Sequence, residues 1–196
     1  MSKGRLEAFS DGVLAVIITI MVLELKVPMG GHPDALLPLL PVFLSYVLSF
    51  IYVGIYWSNH HHLMHAVRHV SGATLWANLH LLFWLSLVPF STAWMGENHW
   101  TPLPVALYGF VLMMAGMAYS VLVWCLRRTP GQDPLLEQAM GRDFKGKVSV
   151  VIYAMALPLA YVHVALPLAL YLTVALIWLV PDRRIEKRLH GDELGH

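Results

Sequence analysis

The chain has 196 residues, of which 58% are hydrophobic, and its mean hydropathy is +0.62. This is more apolar than a soluble domain of that length needs in order to fill its core, so a soluble globular protein is excluded. The formal net charge of +1 does not indicate a nucleic-acid-binding surface. Cys125 is the single cysteine of the chain, which excludes an internal disulfide.

Six hydrophobic stretches follow one another along the chain. They span roughly residues 6–26, 36–57, 72–95, 103–126, 147–162 and 164–181, and a helix needs about 20 apolar residues to cross a bilayer. We therefore predict an all-α integral membrane protein with six transmembrane helices. The first stretch has no small-residue cleavage site after it, so we interpret it as a retained helix and not as a signal peptide.

The last two predicted helices must share residues 147–181. One continuous helix of that length would measure about 52 Å, which is too long for a single crossing. Pro158 and Pro167 can interrupt it. We therefore expect two short helices joined by a tight turn near residues 161–167.

The basic residues are distributed unequally between the two sides of the membrane. If the stretches cross alternately, every Lys and Arg except Lys26 lies on one side, and basic loops resist translocation. We expect a multi-pass protein of the cell membrane with both termini in the cytoplasm. Residues 1–182 would form the six-helix domain in contact with membrane lipid, and residues 183–196 a short charged cytoplasmic tail. Segment 127–147 would be a cytoplasmic loop with one helical turn near residues 135–140.

Ionisable side chains at membrane depth are costly and therefore mark candidate functional sites. The first helix carries Arg5, Ser10 and Asp11 near its start. Either Arg5 and Asp11 form a local ion pair with Ser10 as a hydrogen-bond partner, or the three belong to a larger polar network. Thr19 lies in mid-span, where a threonine commonly bonds to a carbonyl of its own helix.

The second and third helices add a group of histidines. His61, His65 and His69 would share one face of a continuing helix, and imidazoles suit zinc. No Cys, Asp or Glu lies nearby in the sequence to complete a site, so we predict no metal site. We expect a buried polar network instead, in which His60, Asn78 and His80 reach towards the first helix.

The chain has no Gly-rich phosphate loop, nucleophile elbow or Cys-x-x-Cys motif, so we predict no enzymatic activity and no cofactor. Intramembrane carboxylates and imidazoles suit a proton-coupled secondary transporter, in which Asp11, His60 and His80 would form a relay. Transporters usually have internal repeats and helices broken at mid-membrane. The first four predicted spans have neither.

One motif is fairly specific. It begins the first helix and consists of Arg5, Phe9, Ser10 and Asp11, spaced Arg-x-x-x-Phe-Ser-Asp. Weaker matches follow at Trp57, His60, Asn78, Pro89 and Phe90. In these residues the chain resembles prokaryotic members of the transmembrane protein 175 family, which are potassium channels without the usual carbonyl filter. The resemblance covers the whole six-span plan as a single copy of the repeat.

The resemblance implies a homotetramer whose first helices line one central pore. It assigns apolar constriction rings to Val16, Ile20 and Leu23, and a polar ring to Thr19. Ile or Leu is typical at the position of Val16, so this chain should have a wider constriction. It also implies a potassium-selective channel with potassium as the permeant ion.

An aliphatic ring offers no ligands, so an ion must keep part of its hydration shell or be stopped by dewetting. Potassium loses water more readily than sodium does, so such a ring can select weakly for potassium. Glu24 would attract cations to the outer mouth, although four Glu24 and four Lys26 side chains could equally form ion pairs between subunits. We expect Asp11 to be held by Arg5 and the region of Trp57, His60 and Asn78, and Val111 in the fourth helix to face lipid.

Overall fold

The helices of the chain were located in a computed structural model, which describes residues 2–130 and 144–179. Seven α-helices lie within these ranges: α1 Lys3–Leu23, α2 Leu40–His65, α3 Gly72–Ser86, α4 Val88–Glu97, α5 Pro102–Arg127, α6 Phe144–Leu159 and α7 Ala165–Leu179. A 3-10 helix, Pro33–Leu39, leads into α2. The same ranges contain no β-strand, and the all-α prediction is confirmed.

Four of the helical segments are long and apolar enough to cross a membrane. They are α1, the 3-10 helix with α2, α3 with α4, and α5. With the shorter helices α6 and α7 the helical segments of the described ranges number six, which roughly fits the predicted plan, and residues 160–164 form the predicted turn between these two helices. The predicted multi-pass membrane protein is confirmed. The predicted helical turn at 135–140 and the tail at 183–196 lie outside the described residues.

Two predicted spans differ in detail from the observed helices. The third is divided at Leu87, because Pro89 has no N–H to donate and its ring would clash with the carbonyl one turn earlier. The second does not end near residue 57 but continues to His65. In these polar last turns, the side chains of Trp57 and His61 contact Asp11 and Glu7 of α1.

Two apolar clusters hold the helices together, and α5 belongs to both. The first joins α1, α2, α3 and α5, and the second includes four buried tyrosines from α2, α5, α6 and α7, namely Tyr52, Tyr108, Tyr153 and Tyr171. Val111 of α5 is only 3% exposed. The expectation that Val111 faces lipid was therefore wrong, because this side of α5 packs against neighbouring helices in the first cluster.

Gly109 allows α5 and α7 to approach closely. A Cβ atom at this position would lie 2.7 Å from Cζ of Tyr171 and closer still to its hydroxyl oxygen. Tyr171 is fully buried and donates a hydrogen bond to the Val105 carbonyl at 3.0 Å, so it cannot move aside freely.

We therefore expect Gly109→Ala to destabilise the protein by about 1–3 kcal/mol through overpacking. Thermal unfolding in detergent would measure the loss. Gly116→Ala on the same helix is the matched control, because the nearest neighbours of its Cβ would be at 3.7 Å, an ordinary contact. Equal melting temperatures for the two variants would contradict this account of the α5–α7 contact.

Candidate pore helix and its polar contacts

Helix α1 has two distinct faces. One is buried against α2, α3 and α4, and its buried residues are Leu6, Ser10, Leu14, Ile17 and Met21. Their spacing of three or four residues is that of one helical face. The opposite face is exposed in the single chain, although most of its side chains are apolar.

The residues assigned to a pore by resemblance all lie on the exposed face. The exposed fraction is 57% for Val16, 42% for Ile20 and 76% for Leu23. Thr19 is exposed too, and its hydroxyl donates to the Ala15 carbonyl of its own helix at 2.8 Å. From Val16 to Leu23 the helix rises about 10 Å. This stretch can therefore present several apolar levels to whatever covers the face.

A ladder of three polar contacts joins the start of α1 to the end of α2. Lys3 Nζ donates to the His65 carbonyl at 3.3 Å, Glu7 Oε1 lies 3.2 Å from His61 Nδ1, and Trp57 Nε1 donates to Asp11 Oδ1 at 3.1 Å. Each step is four residues forward in α1 and four residues back in α2. The two helices are therefore antiparallel and in register over two turns, since residues four apart share a face.

A second, fully buried link joins the same end of α1 to α3. Asn78 Nδ2 donates to Ser10 Oγ at 2.9 Å, and Asn78 Oδ1 lies 2.8 Å from His60 Nε2. Because this oxygen can only accept, His60 Nε2 carries the proton. Ser10 and Asn78 are 0% exposed and His60 is 2% exposed. The link thus connects three helices away from solvent.

Two predicted members of the network lie elsewhere. Arg5 is exposed, and no ion pair joins it to Asp11 in the described residues, so the expected Arg5–Asp11 pair is not formed. Asp11 has Trp57 as its partner instead. His80 is exposed and accepts a hydrogen bond from Trp84 of its own helix at 3.0 Å, so it does not reach α1. Among the described hydrogen bonds, none joins Asp11, His60 and His80 into a relay.

The other end of α1 carries the residues expected at the outer mouth. Glu24 caps the helix and is exposed. Lys26 pairs with Glu97 at the end of α4 in its own chain. Lys26 donates a hydrogen bond to this carboxylate, and that bond together with the negative charge of the carboxylate raises the pKa of Lys26. Lys26 is thereby bound within the subunit, which does not favour the Glu24–Lys26 pairing between subunits.

Glu7 was absent from the predicted site. The sequence contains a signal for it, because Glu7 and Asp11 are four apart, as are Trp57 and His61. This signal is usable only when the register of two antiparallel helices is known. With that register, Glu7 supplies the acidic group that the histidines of α2 lack in the sequence. His69 lies beyond the end of α2, so it does not share the helical face of His61 and His65.

Comparisons with known proteins identify relatives of this chain. A family model described as the endosomal/lysosomal potassium channel TMEM175 matches residues 5–89, which contain the buried Ser10–Asn78–His60 link and two of the three ladder contacts. A potassium channel of Chryseobacterium sp. (strain P1-3) is 53% identical over 189 residues, covering 96% of this chain and 98% of that protein. A potassium channel of Streptomyces collinus (strain DSM 40733 / Tue 365) is 33% identical over 187 residues, covering 90% and 91%.

A solved structure also resembles the chain. It is the crystal structure of a lysosomal potassium-selective channel TMEM175 homolog from Chamaesiphon minutus, with a TM-score of 0.79 and 27% sequence identity. The match covers 91% of this chain and 96% of that one. The likeness therefore extends over most of the chain.

Proposed function

The chain belongs to the TMEM175 family of ion channels, and we propose from this that it conducts potassium across the cell membrane, with weak preference over sodium. Membership of this family makes it a membrane channel and not an enzyme. In the proposed arrangement, both termini face the cytoplasm. Four copies of the chain surround one pore, and each contributes α1.

The exposed apolar face of α1 is the observation that carries this proposal. A single chain contributes one copy of α1, and one helix cannot enclose a pore. A closed rotational assembly brings the same face of every subunit to one axis. The opposite face, anchored to α2 and α3 by the polar links, holds α1 in place in each subunit.

In this arrangement, selection between potassium and sodium depends on dewetting of the pore and on partial dehydration of the ion. Rings of Val16, Ile20 and Leu23 would offer passing ions no oxygen ligands along their side chains. The Thr19 ring adds hydroxyl groups between the apolar levels. Glu24 at the outer end would raise the local cation concentration, since Lys26 is paired with Glu97.

Recordings from planar lipid bilayers containing the purified protein would test this function. We expect unitary currents, and under bi-ionic conditions a reversal potential displaced modestly towards that of potassium. A proton-coupled transporter would instead give saturable flux driven by a proton gradient, without unitary events. The separate hydrogen bonds of Asp11, His60 and His80 do not favour that mechanism.

Assembly can be tested independently of conduction. Native mass spectrometry of the protein released from detergent should give a mass of four chains, because the pore requires four copies of α1. A monodisperse monomer would contradict both the assignment of α1 to the pore and the proposal of a channel. A mass that corresponds to another number of chains would be compatible with a pore but would contradict its fourfold symmetry.

A further inference from the structure

A second candidate site lies at the other end of α1 from Glu24, in the middle of the polar ladder. We propose that Glu7, His61 and His65 bind a divalent transition-metal ion of the zinc class. One ligand atom from each side chain lies within 4.8 Å of the other two. Glu7 comes from α1 and both histidines from α2, so the bound ion would join the two helices.

The spacing of these groups suits such an ion. Ligand bonds of about 2.0–2.2 Å in a tetrahedral site place neighbouring ligand atoms roughly 3.3–3.6 Å apart. Glu7 Oε1 and His61 Nδ1 are already 3.2 Å apart. The His61 and His65 rings lie edge to face, with centroids 4.6 Å apart, and His65 is exposed and can turn to close the set.

The donor set selects the class of ion. Two imidazoles and a carboxylate suit zinc, copper, nickel and iron, whereas magnesium and calcium prefer oxygen ligands throughout. Three protein ligands leave a fourth position for water or for another small ligand. The site is also reachable from solvent, because the side chains of His61 and Glu7 are 40% and 24% exposed.

Neighbouring contacts orient the ligands. Trp57 stacks against His61 with centroids 6.1 Å apart and an angle of 21° between the rings. Lys3, the nearest cation of the ladder, donates to the His65 carbonyl rather than to the Glu7 carboxylate in the described contacts. Lys3 therefore does not occupy the Glu7 carboxylate, which can bind a cation. The binding site does not depend on the channel proposal.

Isothermal titration of the purified, tag-free protein with zinc would test the site. We expect each chain to bind one zinc ion saturably and with high affinity. When Co²⁺ replaces zinc, we expect the visible absorption bands of Co²⁺ in a site of low symmetry. Glu7→Gln and His65→Ala should each weaken binding by about 10–100-fold or more, because each removes one of three protein ligands. His62→Ala is the matched control, since His62 is an exposed histidine of the same helix outside the cluster.

Zinc should also raise the melting temperature of the wild-type protein, and it should not do so for Glu7→Gln. Removing the third ligand in His61→Ala could also disturb the fold. Glu7→Gln keeps the size of the side chain, so this variant preserves the fold even if His61→Ala does not. Equal zinc affinity in Glu7→Gln and wild-type protein would overturn the proposal. An equal loss in His62→Ala would do the same, since it would indicate non-specific binding to surface histidines.

Discussion

Val16→Asn is expected to raise the potassium conductance and to reduce the discrimination between potassium and sodium. The substitution places a polar amide in every subunit at the proposed constriction ring of Val16, so ions crossing it meet ligands instead of an apolar annulus. Val16→Ala should act in the same direction by widening the ring. A tenfold increase in the rate of crossing would correspond to a barrier lowered by about 1.4 kcal/mol. Unitary conductance and bi-ionic reversal potentials in bilayers would measure both effects.

The control for Val16 must be a valine that is exposed but lies on another helix. Val121 of α5 is 43% exposed, whereas the initially expected Val111 is buried and would confuse conduction with stability. Val121→Asn should leave conductance and selectivity unchanged. Ile20→Asn and Leu23→Asn, recorded beside Val16→Asn, would show which ring limits conduction. If none of the three changed the currents, α1 would not line the pore.

The division of the chain into apolar helical segments could be predicted from the sequence because it depends on properties that are local along the chain. Lengths of apolar segments and the distribution of basic residues both follow from the cost of burying charge in lipid. The break at Leu87 was missed, although Pro89 is the residue that causes it. In a membrane span, proline can be tolerated within a helix, so the residue alone does not decide between a kink and a break.

Orientation of the faces was harder to predict than the helices themselves. Lipid-facing and core-facing sides of a membrane helix are both apolar, so hydropathy did not separate buried Val111 from exposed Val121. The motif at the start of α1 indicated a polar site, but the pairing of its members depends on the register between helices. That register brought Glu7 to His61 and left Arg5 without the expected Asp11 partner.

Asn78→Leu is expected to destabilise the protein by about 2–4 kcal/mol. This loss is larger than the losses expected for Gly109→Ala and Asp11→Ala. Leucine has a similar size but cannot replace either hydrogen bond, so the His60 N–H and Ser10 Oγ lose a partner in a site without solvent. An unsatisfied buried polar group costs about 1–3 kcal/mol. By contrast Asp11 is only half-buried, so Asp11→Ala should have the smaller effect on stability. Thermal unfolding and the amount of assembled protein on size exclusion would measure the losses.

Asn59→Leu is the matched control for Asn78→Leu. The Asn59 amide donates to the Ile55 carbonyl of its own helix at 2.8 Å, so its removal breaks no contact between helices through that amide. If hydrogen bonds between helices were worth no more than local ones, the two variants would melt alike. Such a result would contradict the role of the Ser10–Asn78–His60 link as a support of α1. A selective loss in Asn78→Leu, with wild-type behaviour in Asn59→Leu, would indicate that the buried face of α1 fixes the position of its exposed face.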